Sequence, residues 1–138
     1  MKRLLGLDIG NKTIGVAVSD PLGILAQGVT TITRRSKDED VQALKEIIET
    51  YDVDKLIVGL PKNMNNSVGF QATRTMNYVD YLKDALHMEV IYVDERLTTA
   101  SATQALIEGG VRRENRKKYV DKIAAVFILQ TYLDQQSL

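Results

Sequence analysis

Residues 4–19, LLGLDIGNKTIGVAVS, form two apolar segments separated by a short polar turn. Each segment is rich in Leu, Ile and Val, and residues 10–12 (GNK) lie between them at a spacing typical of a β-hairpin. The stretch therefore predicts two antiparallel strands, Arg3–Ile9 and Thr13–Ser19. Asp8 is unusual in this setting, because a buried strand rarely carries a charge.

The composition limits the class of protein. The 138 residues suit one domain, residues 1–138, and 44% hydrophobic residues are enough to build a core. The absence of cysteine excludes disulfides and thiolate metal sites and suits a reducing compartment. No apolar run reaches the roughly 20 residues of a membrane helix, and the first residues do not resemble a signal peptide. We therefore expect a cytoplasmic protein. The 18 basic and 18 acidic residues cancel, so overall charge gives no support for nucleic-acid binding.

The rest of the chain predicts alternating helices and strands. Expected after the hairpin are a strand at 24–33, a helix capped by Ser36, a strand at 56–60, a helix from Ala72 to Leu86, a strand at 89–93, a helix from Thr98 or Thr99 to Gly109, and a last helix from about Tyr119 to Leu133. The later strands arrive through helical crossovers, so they should be parallel to their neighbours. The predicted fold class is α/β, with a mixed five-stranded sheet and helices on both faces.

Carboxylates fall where the ends of the parallel strands should meet. Asp8 is near the end of the first strand, and Asp94 and Glu95 follow the fifth. Asp121 shares a helix face with Ala124, Ala125 and Ile128, the side expected to pack on the sheet. In such sheets, functional sites form at the carboxyl ends of the parallel strands.

A cluster of carboxylates at one edge requires cations to neutralise it. Oxygen ligands without His or Cys suit Mg²⁺ or Mn²⁺, and the single histidine, His87, is expected at the surface. Two such ions could activate water and stabilise the leaving oxygen of a phosphodiester. Structural roles remain open for each acid: Asp8 as a turn cap, Asp94 and Glu95 in a surface ion-pair group, and Asp121 as a charge favouring the helix dipole.

Four segments together resemble the YqgF/RuvX family of Holliday junction resolvase-like proteins in the RNase H superfamily. They are LGLDIGNKTIGVAVSD (5–20), VGLPKNMNNSVG (58–69), YVDERLTT (92–99) and DKIAAVFILQ (121–130), in the family's order and spread over nearly the whole chain. The resemblance implies an RNase H-like fold and a metal-dependent nuclease using Mg²⁺ or Mn²⁺. Carried over by position, the catalytic and metal-binding residues are Asp8, Glu95 and Asp121.

Two nucleic-acid substrates are attached to this family. One is the precursor of 16S ribosomal RNA, in which the nuclease would generate the mature 5′ end. Ribosomal particles would then be further partners. The other is branched, four-way DNA, whose resolution would need a homodimer. We favour the RNA. In one respect the chain departs from the family pattern: residues 63–69 read NMNNSVG and supply no acid, although Asn63 could still contact nucleic acid.

Basic residues are concentrated in one run beside Asp121. Residues 112–118, RRENRKK, lie in a predicted loop, where a charge run is commonly only solvated. We interpret them as a phosphate clamp beside the acidic site, with a further contact from the hairpin turn. The expected nucleic-acid contacts are Lys12, Arg112, Arg113, Arg116, Lys117 and Lys118.

Two other functions are compatible with parts of the sequence. The first hairpin also resembles a phosphate motif of actin-like ATPases and sugar kinases, but those enzymes need two such lobes and the chain has length for one. The other is a non-catalytic module that docks on RNA or ribosomal particles. The complete set of three acidic residues argues against this function.

Overall fold

A computed structural model describes residues 2–60, 70–94 and 113–136, and for residue 70 and residues 113–121 it gives the backbone alone. The described elements are β1 (Arg3–Ile9), β2 (Thr13–Ser19), β3 (Ala26–Thr33), α1 (Lys37–Tyr51), β4 (Val53–Leu60), α2 (Phe70–Leu86), β5 (Glu89–Asp94) and α3 (Arg113–Gln136). The helix expected between residues 98 and 110 lies outside the described residues. None of the described helices is both long and apolar enough to cross a membrane.

The strands form one mixed sheet in the order β3-β2-β1-β4-β5. The first three pair as antiparallel neighbours, whereas β1 pairs with β4 and β4 with β5 in parallel. The predicted mixed five-stranded sheet is therefore confirmed. As a consequence, the carboxyl ends of β1, β4 and β5 lie together, and we call this side of the sheet the carboxyl edge.

The two faces of the sheet are covered by different helices. Leu5 and Leu7 of β1 belong to a core shared with α1 and α2, which contribute Leu44, Val79 and Leu82. The opposite face packs against α3 through a second core, whose members are Ala17, Ile57, Val93, Ala125, Ile128, Leu129 and Leu133. Alternation of side chains along each strand sends neighbouring residues to these two cores.

Helix α1 begins and ends where local chemistry dictates. The Ser36 side chain accepts a hydrogen bond from the Glu39 backbone N–H at 3.2 Å, so Ser36 caps the helix as predicted. Asp52 ends the helix in the left-handed conformation, with φ of 54°. Its carbonyl then accepts from the Arg3 backbone N–H at 3.0 Å. This single residue thus connects α1 to β4 and ties the turn to β1.

Two predicted boundaries were wrong. Strand β3 begins at Ala26, because the Asp20 carboxylate accepts from the Ile24 N–H at 2.8 Å and holds residues 20–25 in a turn. Helix α3 begins at Arg113 and not near Tyr119.

Candidate active site

Asp8 lies at the carboxyl edge on the face covered by α3. It is the second-last residue of β1, is half-buried, and pairs with Gly15 across the hairpin. Its neighbours Leu7 and Ile9 belong to the core of α1 and α2, so alternation directs Asp8 to the other face. Asp94 ends β5 at the same edge, opposite Leu60, and is exposed. The prediction that both strand ends share one edge is confirmed for these two residues.

Helix α3 approaches β1 unusually closely at Gly6. A Cβ atom at Gly6 would lie 2.8 Å from the Leu129 Cβ and 3.0 Å from the Ala125 carbonyl oxygen. Such distances leave no room for a side chain, so the glycine is required by packing. Leu4 packs on this same side, with the α3 core. The close approach fixes the distance between α3 and the strand that carries Asp8.

The direction of α3 follows from its contacts with β3. The Ala26 N–H donates to the Gln130 Oε1 at 2.9 Å near the start of β3, whereas Gly28, farther along, lies against Lys122. Since β3 runs in the same sense as β1, α3 runs opposite to both. The amino-terminal half of α3 therefore points toward the carboxyl edge.

The helix register brings position 121 to the level of Asp8. Position 121 is four residues before Ala125, hence on the same helix face and about 6 Å nearer the carboxyl edge. Asp8 is two residues beyond Gly6, about 6.6 Å along the strand in the same direction. Because Gly6 and Ala125 are in contact, the two acidic positions occupy corresponding places on β1 and α3.

The other predicted site residues fall in three groups. Lys12 is exposed in the hairpin turn, where its carbonyl accepts from the Arg34 N–H at 2.8 Å. Glu95, Asn63 and Arg112 lie outside the described residues. The basic run was predicted to be a loop, but its described backbone is helical. The prediction was therefore wrong for Arg113, Arg116, Lys117 and Lys118. The run contains no Gly or Pro to interrupt a helix, and Glu114 and Lys118 stand at the favourable i, i+4 spacing.

Among the residues whose side chains are described, no three His, Cys, Asp or Glu side chains are grouped closely enough to hold a metal ion. Two of the three predicted ligands, Glu95 and the side chain at position 121, are outside that set. His87 is exposed directly after α2 and before β5 begins, which is the end of the sheet opposite the carboxyl edge. The histidine is at the surface, as expected, and lies away from Asp8.

A buried polar cluster below the β1–β2 turn was not predicted from the sequence. Asp40 of α1 is buried and accepts from the Tyr78 hydroxyl at 2.7 Å and from the Arg35 N–H at 3.1 Å. The Arg34 guanidinium lies 4.0 Å from the centre of the Tyr78 ring and donates to the Gly10 carbonyl. The cluster thus joins α1, α2 and the end of β3 to the turn that follows Asp8.

Linear patterns carry little signal for this cluster. In the sequence Arg34 is only part of a small basic group, and an acid in the first turn of a helix is explained by the helix dipole alone. The contact between Asp40 and Tyr78 spans 38 residues. It exists only because α1 and α2 lie side by side on one face of the sheet.

Tyr78→Phe should destabilise the fold by about 1–3 kcal/mol, because the buried Asp40 carboxylate loses a charged hydrogen bond. Burial, followed by the hydrogen bond to Asp40, raises the pKa of the Tyr78 phenol above its usual value of 10.0. Because the unfolded state loses this proton first, the hydroxyl contributes fully below pH 10.0 and loses its contribution as the pH rises further. Urea unfolding of both proteins from pH 7 to 11 checks this. A difference in the free energy of unfolding between the two proteins that stays constant above pH 10 would contradict this role of the hydroxyl.

Comparison with known proteins identifies the family. The family model described as RuvX, Holliday junction resolvase, matches residues 2–135. The chain belongs to the RuvX family. A relative from Clostridium acetobutylicum is 51% identical over 132 residues, covering 96% of this chain and 98% of its own length. One from Clostridium botulinum is 51% identical over 135 residues, covering 98% of both chains. Both bear the name "Putative pre-16S rRNA nuclease". The predicted family, a family of nucleases, is confirmed.

Solved structures of two resolvases share the fold. RuvC of T. thermophilus, in complex with a Holliday junction substrate, matches with a TM-score of 0.55 at 12% identity, covering 99% of this chain and 96% of that chain. The Fowlpox virus resolvase, in complex with substrate Holliday junction DNA, matches with a TM-score of 0.54 at 16% identity, covering 97% and 98%. The predicted RNase H-like α/β fold is therefore confirmed.

Proposed function

We propose that the chain acts as a single metal-dependent nuclease domain that hydrolyses phosphodiester bonds in the 5′ maturation of the 16S ribosomal RNA precursor. The observation that carries the proposal is Asp8, half-buried at the carboxyl edge and level with position 121 of α3. Relatives 51% identical over nearly the full chain bear names of pre-16S rRNA nucleases. A cytoplasmic location accords with that substrate and with a chain that has no cysteine.

The donor set fits a hard divalent cation. Asp8, Glu95 and Asp121 would be the ligands, and all of them offer carboxylate oxygens. The chain has no cysteine, and its one histidine lies at the opposite end of the sheet. Oxygen ligands without nitrogen or sulfur suit Mg²⁺ or Mn²⁺. Such an ion, when bound, lowers the pKa of water and stabilises negative charge on the phosphate.

The protein's own contribution is to hold the carboxylates in place. Asp8 is held by its ladder pairing with Gly15, and the parallel strand β4 supports β1 from the other side. Helix α3 is seated against Gly6 without a gap. A rigid arrangement needs little reorganisation when charge develops in the transition state, which is the main source of electrostatic catalysis.

Charge reversal in the basic run should weaken nucleic-acid binding and reduce its salt dependence. The variant changes Arg112, Arg113, Lys117 and Lys118 to Glu. The slope of log Kd against log salt should fall by roughly 3, at about 0.7–0.9 for each phosphate that is no longer neutralised. Acidic residues suit the first turns of a helix, so α3 should persist. Binding titrations between 50 and 200 mM salt measure the slope.

The control for this variant reverses Lys45 and Lys83, which are exposed on α1 and α2. Both lie in the second half of helices that lead back to the starts of β4 and β5, away from the carboxyl edge. Their reversal should leave the slope nearly unchanged. An equal change of slope in both variants would show that the basic run has no special role.

A cleavage assay on two substrates tests the proposed reaction. A labelled fragment of the ribosomal RNA precursor and a four-way DNA junction are offered with Mg²⁺ or Mn²⁺. The proposal predicts cleavage of the RNA. Symmetric nicks in the junction would instead favour the second candidate function, junction resolution by a homodimer, which the family description and the likeness to RuvC support. No cleavage by folded protein would favour a non-catalytic module that docks on RNA or ribosomal particles.

A further inference from the structure

A small polar cavity opens on the other side of β1 from Asp8. Its volume is about 50 Å³. Ile9 and Gly10, which line it, directly follow Asp8 in the chain. The remaining lining comes from the hairpin turn, the end of β3 and the first turns of α2. The polar residues that line the cavity are Asn11, Arg34, Gln71, Arg74, Thr75 and Tyr78. We call this the Arg34–Arg74 cavity.

The size and charge of the cavity suit a phosphate group. A buried water needs about 10–15 Å³, so a cavity of about 50 Å³ has room for a group larger than one water molecule. Two guanidinium groups line it, and no carboxylate is among the described residues that do so. Asp40 lies behind Arg34, at 3.9 Å. The cavity therefore favours a small anion with several acceptor oxygens.

Arg34 is held in position by the fold. The Arg34 guanidinium donates to the Gly10 carbonyl and stacks 4.0 Å from the centre of the Tyr78 ring. Tyr78 is in turn fixed by its 2.7 Å hydrogen bond to Asp40. A guanidinium fixed in this way loses little side-chain entropy when an anion binds.

A buried hydroxyl in the cavity lacks a hydrogen-bond partner in the described part of the chain. Thr75 is 3% exposed and lines the cavity, and its hydroxyl forms no hydrogen bond with another described residue. A buried hydroxyl without a partner costs free energy. Gln71 and Asn11 meet nearby, with the Gln71 Nε2 donating to the Asn11 Oδ1 at 3.4 Å. A phosphate oxygen would accept the hydrogen bond that Thr75 has available.

We propose that the Arg34–Arg74 cavity binds one phosphate of the nucleic-acid backbone, next to the phosphate that is cleaved at Asp8. This inference rests on the proposed nuclease function and adds to it a positioning site for the substrate. The strand would pass over the carboxyl edge, from the α3 face, where Asp8 lies, to the α2 face, where the cavity opens. Held at this second point, the substrate keeps its register at the carboxylates, which is how positioning lowers a reaction barrier.

The test removes one phosphate charge at a time from a bound strand. Asp8→Asn protein is used so that the strand is bound and not cut. RNA fragments carry a single neutral methylphosphonate at each position in turn. At one position, next to the cleavage site, the neutral group should weaken binding by about tenfold, as expected when one charged hydrogen bond is removed.

Protein variants then assign that position to the cavity. In Arg74→Gln, made in the Asp8→Asn background, binding to the unmodified strand should be weaker, and the methylphosphonate at that position should have almost no further effect. Lys83→Gln is the matched control, since it removes an exposed positive charge from the far end of the same helix. The control should keep the full tenfold effect. If Arg74→Gln also keeps it at every position, the proposal is wrong.

Thr75→Val separates binding from structure. The substitution keeps the shape and removes the buried hydroxyl, so the melting temperature should stay the same or rise while the affinity falls by about threefold. A lower melting temperature with unchanged affinity would show that Thr75 is structural and would contradict its place in the site.

The outcomes also distinguish this proposal from the nuclease function. A position-specific methylphosphonate effect that depends on Arg74, in a protein whose wild-type form cuts no substrate, supports the cavity and contradicts the nuclease. Cleavage by the wild-type protein without any such position contradicts the cavity and supports the nuclease. Failure of the Asp8→Asn protein to bind RNA or junction strands contradicts both.

Discussion

Asp8→Asn is expected to lower the single-turnover rate of RNA cleavage by at least about a thousandfold while leaving the fold intact. The side chain keeps its shape but loses the negative charge that would hold the proposed divalent cation, and such a cation contributes several kcal/mol to transition-state stabilisation. The backbone pairing of residue 8 with Gly15 does not involve the side chain. The circular dichroism spectrum should therefore match that of the wild-type protein.

The matched control for this variant is Asp54→Asn. Asp54 is an exposed aspartate near the start of β4, at the opposite end of the sheet from Asp8. The substitution removes the same charge from the same sheet and should leave the cleavage rate within about twofold, as expected for an exposed site without a special role. If Asp8→Asn cleaves as fast as Asp54→Asn, Asp8 takes no part in catalysis.

Gly6→Ala is expected to affect stability and cleavage together. The new Cβ would lie 2.8 Å from the Leu129 Cβ and 3.0 Å from the Ala125 carbonyl oxygen, and neither neighbour is the flexible end of a side chain. Overpacking of this kind costs about 1–3 kcal/mol. If α3 moves away from β1 by about 1 Å, position 121 moves from Asp8 as well, and a misplacement of that size can lower the rate about a hundredfold. Urea unfolding and single-turnover cleavage measure the two effects.

Gly28→Ala is the matched control for the packing argument. There the new Cβ would meet the side chain of Lys122, with the Cε atom at 2.6 Å. A lysine side chain is flexible and half-exposed at this position, so it can move aside at little cost. Stability and cleavage should stay close to wild type. Equal losses in both variants would show that the close packing at Gly6 does not set the position of α3.

The sheet was predictable because its signals are local. Alternating apolar residues and a polar three-residue turn indicate the β1–β2 hairpin, and the apolar run of β4 indicates a strand buried on both faces. A charge inside such a strand is also a local signal, and it is why Asp8 could be chosen as a candidate site residue. Its place at the edge then followed from the parallel pairing of β1, β4 and β5, which the helical crossovers dictate.

The features that the sequence did not predict depend on contacts distant in the chain or on competing local preferences. The basic run of residues 113–118 was expected to be a loop because charge runs are commonly solvated, yet a helix can also carry them, and α3 does. The start of β3 depends on a side-chain hydrogen bond from the turn to Asp20. Arg34, Asp40 and Tyr78 come from three different parts of the chain. No periodic pattern in the sequence indicates that these parts are in contact.

The sharpest test of the proposed metal site at Asp8 is a titration of Mn²⁺ followed by electron paramagnetic resonance, in which the free ion gives the signal that binding removes. It requires no knowledge of the substrate. Wild-type protein and Asp54→Asn should bind Mn²⁺ with equal affinity, and Asp8→Asn should bind it at least about tenfold more weakly, since a ligand of the ion has lost its charge. Equal Mn²⁺ binding by Asp8→Asn and wild-type protein would contradict the claim that the carboxyl edge at Asp8 is a metal site.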